Sequence, residues 1–363
     1  MRSYAVAVIP GDGVGKDVID VGVSVLEAVQ EIHADFQIEF ETFPWSCAYY
    51  LEHGRMMPED GLKVLETFDS IYLGAVGFPR LVPDHVSLWG LLLPIRKAFD
   101  LYVNLRPCKL LPGTRGILRD NGPEEITFVS VRENTEGEYA GAGGRVHVGT
   151  PNEVAIQTIV FTRHAVERIM RYAFQLARGE GRRKVTSVTK SNAMQHNMVF
   201  WDEVFATVAR DYPEIASEQV HVDAMAARMV RNPETLDVVV ASNLFADILT
   251  DLAGALQGSL GIPPSANVNP DKKVPGFLEP VHGSAPDISG QGIANPIAAI
   301  WAGALMLDYL GEEEPAGQVL AAIEAVTAEG RVLTPDLGGT ATTWEVGDAV
   351  REKLRARVAP VRS

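Results

Sequence analysis

Short runs rich in β-branched and aromatic residues alternate along this chain with segments of helical period, and that alternation limits the fold more than any other feature. YAVAVI (4–9) precedes a helical stretch from about Lys16 to Ile32, then come FQIEFETF (36–43), a helical stretch near 58–67 and SIYLGAV (70–76). LYVNLRP (101–107), EITFVSVRE (125–133) and VAIQTIVFT (154–162) continue the series, before a helix over about 163–178 and the strand KVTSVTK (184–190). TLDVVVAS (235–242) runs straight into a helix beginning near Asn243. IANPIAAIWAGALMLDYL makes another, with Pro296 at a first-turn position, and the last clear helix covers about 315–329. Such alternation calls for an α/β fold with an at least partly parallel sheet. A length of 363 residues suffices for one large or two ordinary domains.

Two segments interrupt the pattern. ENTEGEYAGAGGRVHVGTPNE (133–153), Gly-rich and polar with an alternating RVHV centre, reads as a loop or a projecting two-stranded arm of the kind that reaches a second subunit. GIPPSANVNPDKKVPGFLEPVHGSAPDISGQG (261–292) reads as a long Pro/Gly-rich loop, and loops of that length are functional or disordered.

Charge excludes some partners. With 32 Lys and Arg against 47 Asp and Glu the net charge is −15, and no basic run is longer than Arg182-Arg183-Lys184, so no nucleic-acid surface is expected. An acidic protein that handles an acidic substrate must gather its cations locally. Cys47 and Cys108 have no metal-ligand spacing, which fits a reducing compartment. The apolar run before Pro10 is too short for a signal sequence, and PIAAIWAGALML (296–307) falls short of the ~20 residues of a membrane span. The expectation is a soluble, cytoplasmic protein with no membrane partner.

Four local patterns carry chemistry. In PGDGVGKDV (10–18) the third glycine of a G-x-G-x-x-G turn would fall at Lys16, and no Walker spacing is present, so a tight turn is the better reading. Asp247 and Asp251 stand four apart on one helical face, with Asn243 as N-cap. Two acids at that spacing are ordinarily a solvated face, but Leu244, Phe245, Ile248, Leu249 and Leu252 leave this helix little water, which favours a bound cation, hard because the ligands are oxygens, Mg²⁺ or Mn²⁺. Asp223 is a third acid in an apolar run, a ligand or a helix cap. Lys190 ends a strand ahead of Ser191 and Asn192, a solvated charge unless burial fits it for base chemistry. Arg96, Arg106 and Arg132 stand at element ends, and three guanidinium forks in one cleft would suit a dicarboxylate. Tyr139 could then supply a phenolic proton. Spacing alone does not show that these residues converge.

The ordered motifs IPGDGVG (9–15), LLLPIRKAFDLYVNLRP (91–107), VRENTEGEYAG (131–141), TKSN (189–192), VDAMA (222–226), NLFADILTDL (243–252), EPVHGSAPDISG (279–290) and IANP (293–296) cover nearly the whole chain. On them the chain resembles the metal-dependent β-decarboxylating D-2-hydroxyacid dehydrogenases, which include isopropylmalate, isocitrate, homoisocitrate and tartrate/D-malate enzymes. The resemblance implies an isopropylmalate dehydrogenase-like two-domain α/β fold with a central mixed sheet, not a Rossmann fold. Residues 1–101 and 258–363 would form a large domain with the NAD-binding loops, and 102–257 a small one with a dimerisation arm at about 141–157 and the metal carboxylates. The active site would lie between them.

By position, the resemblance assigns Arg96, Arg106 and Arg132 to the carboxylates of a malate core, and Asp223, Asp247 and Asp251 to Mg²⁺ or Mn²⁺. Lys190 would be the general base and Tyr139 the acid. Lys190 and Asp223 would come from the neighbouring subunit of a homodimer with shared active sites. Dinucleotide contacts would come from Asn192, Glu279, His282, Gly283, Ser284, Ala285, Asp287 and Asn295. Asp287 would favour NAD, because a carboxylate repels a 2′-phosphate. A monovalent cation such as K⁺ often assists the tartrate/D-malate subgroup. DHVSLWG (84–90) places Trp89 where isopropylmalate enzymes carry a Glu, which implies a smaller substituent pocket. Oxidation of D-malate to pyruvate and CO₂ and of tartrate isomers is therefore expected, with isopropylmalate oxidation and a non-catalytic regulatory subunit as alternatives. Ala246 stands where Gly is common.

Overall fold

The computed structural model describes residues 1–358. Its strands, in chain order, are β1 (Arg2–Gly11), β2 (Phe36–Thr42), β3 (Ser70–Ala75), β4 (Val103–Lys109), β5 (Thr127–Glu133), β6 (Gly137–Val146), β7 (Val154–Val160), β8 (Lys184–Thr189), β9 (Ala216–His221), β10 (Val238–Ala241), β11 (Pro264–Val268) and β12 (Gly276–Pro280). The described residues divide into two compact units, one of residues 1–101, 109–123 and 254 onward, the other of 102–108 and 124–253. Residues 109–123 and 254–257 thus belong with the first unit, whereas the family resemblance implies an unbroken 102–257 small domain.

In the first unit the strands run in the order β2-β1-β3-β12-β11. β1 pairs in parallel with β2 and β3, β12 with β3, while β11 and β12 are antiparallel, so the sheet is mixed. All six residues of β3 are buried, as befits a parallel strand covered on both faces. The helix Ile297–Leu310 is apolar almost all round and correspondingly buried. It packs against the helix Gly15–His33, which in turn meets the helix Thr343–Val358.

In the second unit the order is β4-β5-β10-β8-β9, with β5, β10, β8 and β9 parallel. The helix Arg163–Gly179 buries Val166, Ile169, Met170, Ala173 and Phe174 in the helical period, and the Thr162 hydroxyl caps it by accepting from Ala165 N–H at 3.2 Å. β6 and β7 form a separate antiparallel pair, the arm anticipated at 133–153.

The largest departure from the sequence reading lies at 261–292. Two fully buried strands, β11 and β12, stand inside the stretch expected to be a loop. Pro264 and Pro280 occupy the strand ends and face one another in register, where a missing N–H costs least. The helix near 58–67 contracts to Gly61–Leu65, and a further helix, Thr343–Val358, follows the one expected to be last. Among the described residues no helix is long and apolar enough to cross a membrane.

Candidate active site

In the second unit, β5 ends at Arg132 and Glu133, β6 starts four residues later, and β10 leads directly into the helix Asn243–Leu256. Strand ends thus deliver side chains to the first turns of one helix, a common place for ligand chemistry in α/β sheets. Asp247, on that helix, is the meeting point. Arg132, 2 % exposed, donates from Nε to Asn243 Oδ1 at 2.9 Å and from Nη1 to the Asp247 carboxylate. The Tyr139 hydroxyl donates to Asp247 Oδ2 at 3.2 Å, and the Arg132 guanidinium lies 5.4 Å from the Tyr139 ring centroid. Arg106, on β4, donates to Thr250 Oγ1 at 2.5 Å and holds Nη2 3.9 Å from Asp247. Arg106, Arg132, Tyr139 and Asp247 are therefore brought together within one unit.

Asp251 stands one turn on. Burial raises its pKa, the Asp247 charge raises it further, and Arg106 and Arg132 oppose both. Two carboxylates with that mutual cost are a donor set suited to a hard divalent cation. Asp223 does not join them within one chain. It lies on the first turn of the helix Val222–Arg231 and accepts from Lys190 Nζ at 2.6 Å, the contact that chiefly holds its pKa down. Among the described residues no three His, Cys, Asp or Glu side chains are grouped to hold a metal ion. Asn192 is exposed in the turn after β8.

Two details of the acidic helix differ from the sequence reading. Asn243 does not cap it: its side chain is taken by Arg132 and by the Glu136 carbonyl, at 3.2 Å. The cap comes from Glu138, a residue the sequence reading missed, which accepts from Leu244 N–H at 3.1 Å and the Ser242 hydroxyl at 3.3 Å. Nor is the helix closed to solvent throughout, since Ile248 is 59 % exposed.

In the first unit Arg96 and Glu279 form a buried ion pair at 2.7 Å. Trp89 lies on a π-helical turn, Leu88–Leu92, a wide turn often found at functional positions. Its indole is 41 % exposed, so it is not core packing, and Lys97 Nζ sits 4.7 Å from the ring centroid. Burial lowers the Lys97 pKa.

A cavity of about 510 Å³ also belongs to this unit, lined among others by Val14, His282, Ala285, Ile288, Asn295 and Asp336. Of the residues expected at the dinucleotide, His282, Gly283, Ala285 and Asn295 line it, whereas Glu279, Ser284 and Asp287 do not. Ser284 instead ties loops together, its hydroxyl donating to Gly77 O at 2.5 Å and its carbonyl accepting from Val14 N–H at 2.8 Å. A Cβ on Gly13 would fall 1.9 Å from that carbonyl, and Gly13 has φ +56°, so the GDGVG turn is a close backbone crossing, as its spacing suggests. His282 Nδ1 bonds Gly283 O at 2.9 Å, and burial lowers its pKa. Because a carbonyl only accepts, Nδ1 donates there, and Nε2, buried with no hydrogen-bond partner, is in the neutral form that burial favours an acceptor for an N–H or O–H of a ligand. Asp336, which no motif marked, is held by Asn295 Nδ2 at 2.9 Å and by the Ser259 hydroxyl. An apolar slot with a few convergent polar groups suits a planar nucleoside base.

With this geometry in hand, similarity to known proteins defines the class. The chain is 54 % identical to the D-malate dehydrogenase [decarboxylating] of Escherichia coli over 356 residues, 96 % of this chain and 98 % of that one. It is 54 % identical to a probable tartrate dehydrogenase/decarboxylase of Bacillus subtilis, covering 98 % and 99 %, and 51 % identical to the tartrate dehydrogenase/decarboxylase of Pseudomonas putida, covering 97 % and 98 %. The isocitrate dehydrogenase structure from Methylococcus capsulatus superposes with a TM-score of 0.87 at 36 % identity, over 97 % of this chain and 99 % of that one. The protein is thus an enzyme of the decarboxylating dehydrogenase class, with the isocitrate dehydrogenase-like α/β fold. It belongs to the isocitrate/isopropylmalate dehydrogenase family, whose sequence model matches residues 5–350.

Proposed function

We propose that the protein oxidises D-malate to pyruvate and CO₂, and tartrate stereoisomers at the same site, using NAD and Mn²⁺ or Mg²⁺. The observation that carries this reading is the convergence of Arg106, Arg132 and Tyr139 on Asp247, beside Asp251. Names borne by relatives point the same way, since those cited act on D-malate or tartrate.

Arg96, Arg106 and Arg132 bind the two carboxylates of the malate core, each guanidinium offering paired N–H donors. Asp247 and Asp251, with Asp223 of a second copy, would hold the divalent ion. When bound, that ion supplies Lewis acidity to the substrate hydroxyl and to the ketone that replaces it. Lys190 would remove the hydroxyl proton, and a bound NAD would supply the acceptor for the hydride that leaves C2. The C3–C4 bond would then break, CO₂ would leave, and the bonding pair would stay on the three-carbon fragment as the enolate of pyruvate. Tyr139 gives its phenolic proton to C3 and is restored from solvent. The Lys190–Asp223 pair acts as one unit across a homodimer, and the exposure of Val146, Val148, Val154 and Ile156 on the arm supports such an association.

Dinucleotide binding is assigned to the cavity at His282 and Asn295 and to the GDGVG turn, with Asn192, Ser284 and Asp287 as the further contacts that the family resemblance implies. Asp336 within the lining supports NAD over NADP, because a second carboxylate near the adenosine would repel a 2′-phosphate. The exposed Trp89 indole narrows the space for a C3 substituent and supports D-malate over 3-isopropylmalate. A panel of D-malate, L- and meso-tartrate and 3-isopropylmalate, with NAD or NADP, Mn²⁺ or Mg²⁺, and with and without K⁺, tests the whole reading. A kcat/KM for 3-isopropylmalate ten times that for D-malate would overturn the substrate assignment.

A further inference from the structure

Glu279 and Arg96 are each 5 % exposed, and their ion pair does not stand alone. The amide of Asn267, which is wholly buried, donates to the same oxygen, Glu279 Oε1, at 2.9 Å, and to Phe277 O at 3.0 Å. The register explains this convergence. β11 and β12 pair Asn267 with Phe277 and Ser265 with Glu279, so Asn267 and Glu279 are diagonal neighbours on one sheet face. Arg96 reaches that face from the end of the helix Leu93–Ala98. One edge of its guanidinium is engaged through Nη2, while Nε is buried with no partner. A buried guanidinium half satisfied by a fixed carboxylate is aimed, with unused donor capacity for a second anion.

We infer that Glu279 is a positioning residue for Arg96, braced by Asn267, and that its charge limits how tightly Arg96 holds a substrate carboxylate. This rests on the reading of Arg96 as a substrate-binding residue and departs from the expectation that Glu279 serves the dinucleotide. The resident carboxylate offsets part of the guanidinium charge, so the incoming anion binds a cation already partly neutralised. In exchange the guanidinium is held in one orientation without substrate.

Glu279→Gln separates the two effects, because its Oε1 can still accept from Arg96 and Asn267 while the charge is gone. Titration calorimetry with D-malate and Mg²⁺, without dinucleotide, is expected to give a Kd about fivefold lower than wild type. The Kd of NADH, followed by fluorescence, is expected to stay within about twofold. Asn267→Ala keeps the charge and removes the brace, so the D-malate Kd is expected to rise about threefold. Should Glu279→Gln melt early, Asn267→Ala carries the test alone. An unchanged or raised D-malate Kd in Glu279→Gln, an unchanged one in Asn267→Ala, or a tenfold change in NADH Kd with D-malate flat, would overturn the inference. The same titrations with 3-isopropylmalate, which shares the two carboxylates, separate the premises. A wild-type protein that binds it and ignores D-malate sinks the substrate reading and leaves the Glu279 comparison intact.

Discussion

Glu138 holds the helix that carries Asp247 and Asp251 by its first turn, and removing it should cost both stability and metal affinity. Its carboxylate accepts one of the helix's open backbone donors, Leu244 N–H at 3.1 Å, and the Ser242 hydroxyl at 3.3 Å. Loss of an N-terminal cap costs about 1 kcal/mol. Loss of a negative charge at a helix N-terminus costs about 0.5 kcal/mol more. Glu138→Ala should therefore destabilise by about 1.5 kcal/mol, and Glu138→Gln, which keeps an acceptor, by about 0.5 kcal/mol. For a unit of this size that corresponds to melting shifts of roughly 5 °C and 2 °C.

The assay is differential scanning calorimetry of metal-free protein, followed by Mn²⁺ titration of each variant. Because Asp247 and Asp251 lie one and two turns beyond the cap, a frayed first turn should also weaken Mn²⁺ binding, by about threefold in Glu138→Ala and less in Glu138→Gln. Equal melting temperatures for wild type and Glu138→Ala would refute the capping argument. A stability loss with unchanged Mn²⁺ affinity would refute the link from cap to carboxylates.

Other consequences follow from single groups. Asp251 has a raised pKa, the reverse of the usual stabilising carboxylate. Its folded form binds the proton more tightly than the unfolded chain, so its contribution is greatest at low pH and is lost as pH rises from the ordinary carboxylate range through the raised value. Asp251→Asn should accordingly raise the melting temperature of metal-free protein at pH 7 and abolish the added stabilisation by Mn²⁺. A lower melting temperature without metal would contradict this. Lys97 lies over the Trp89 indole, so Lys97→Met should free the ring and narrow the preference for D-malate over 3-isopropylmalate by about threefold, as read in kcat/KM. An unchanged ratio would count against the ring as a steric gate. Asp336→Asn should improve NADP relative to NAD by about tenfold, measured as the ratio of kcat/KM values; no change would place the 2′-position elsewhere.

Much of this site was legible in the sequence because α/β chains put ligand-handling groups where strands end, and strand ends can be read from alternation. Arg132 closing ITFVSV, Lys190 closing VTSVTK and the acids after TLDVVVAS all lie where that rule places them. Their convergence was not legible, since Arg132 and Asp247 are 115 positions apart and no period links them. Periodicity also failed where backbone pairing carries the structure. β11 and β12 are buried in a segment whose prolines read as a loop, because proline at a strand end removes a donor that the ladder does not need there.

The residues missed or given another part share a physical trait: each is engaged by backbone or by another side chain far away in the sequence. Glu138 was invisible because a cap supplied across the fold leaves no local spacing, unlike an Asn or Ser at the N-cap itself. Asn243, which has that local signature, is claimed by Arg132, since a charged donor outbids a neutral N–H for the same amide oxygen. Glu279 follows the same logic. A motif marks its position but not its partner, and the partner, Arg96, is 183 residues away on another element. The register of β11 against β12 sets Glu279 beside Asn267 on one sheet face, and there its carboxylate accepts from Arg96.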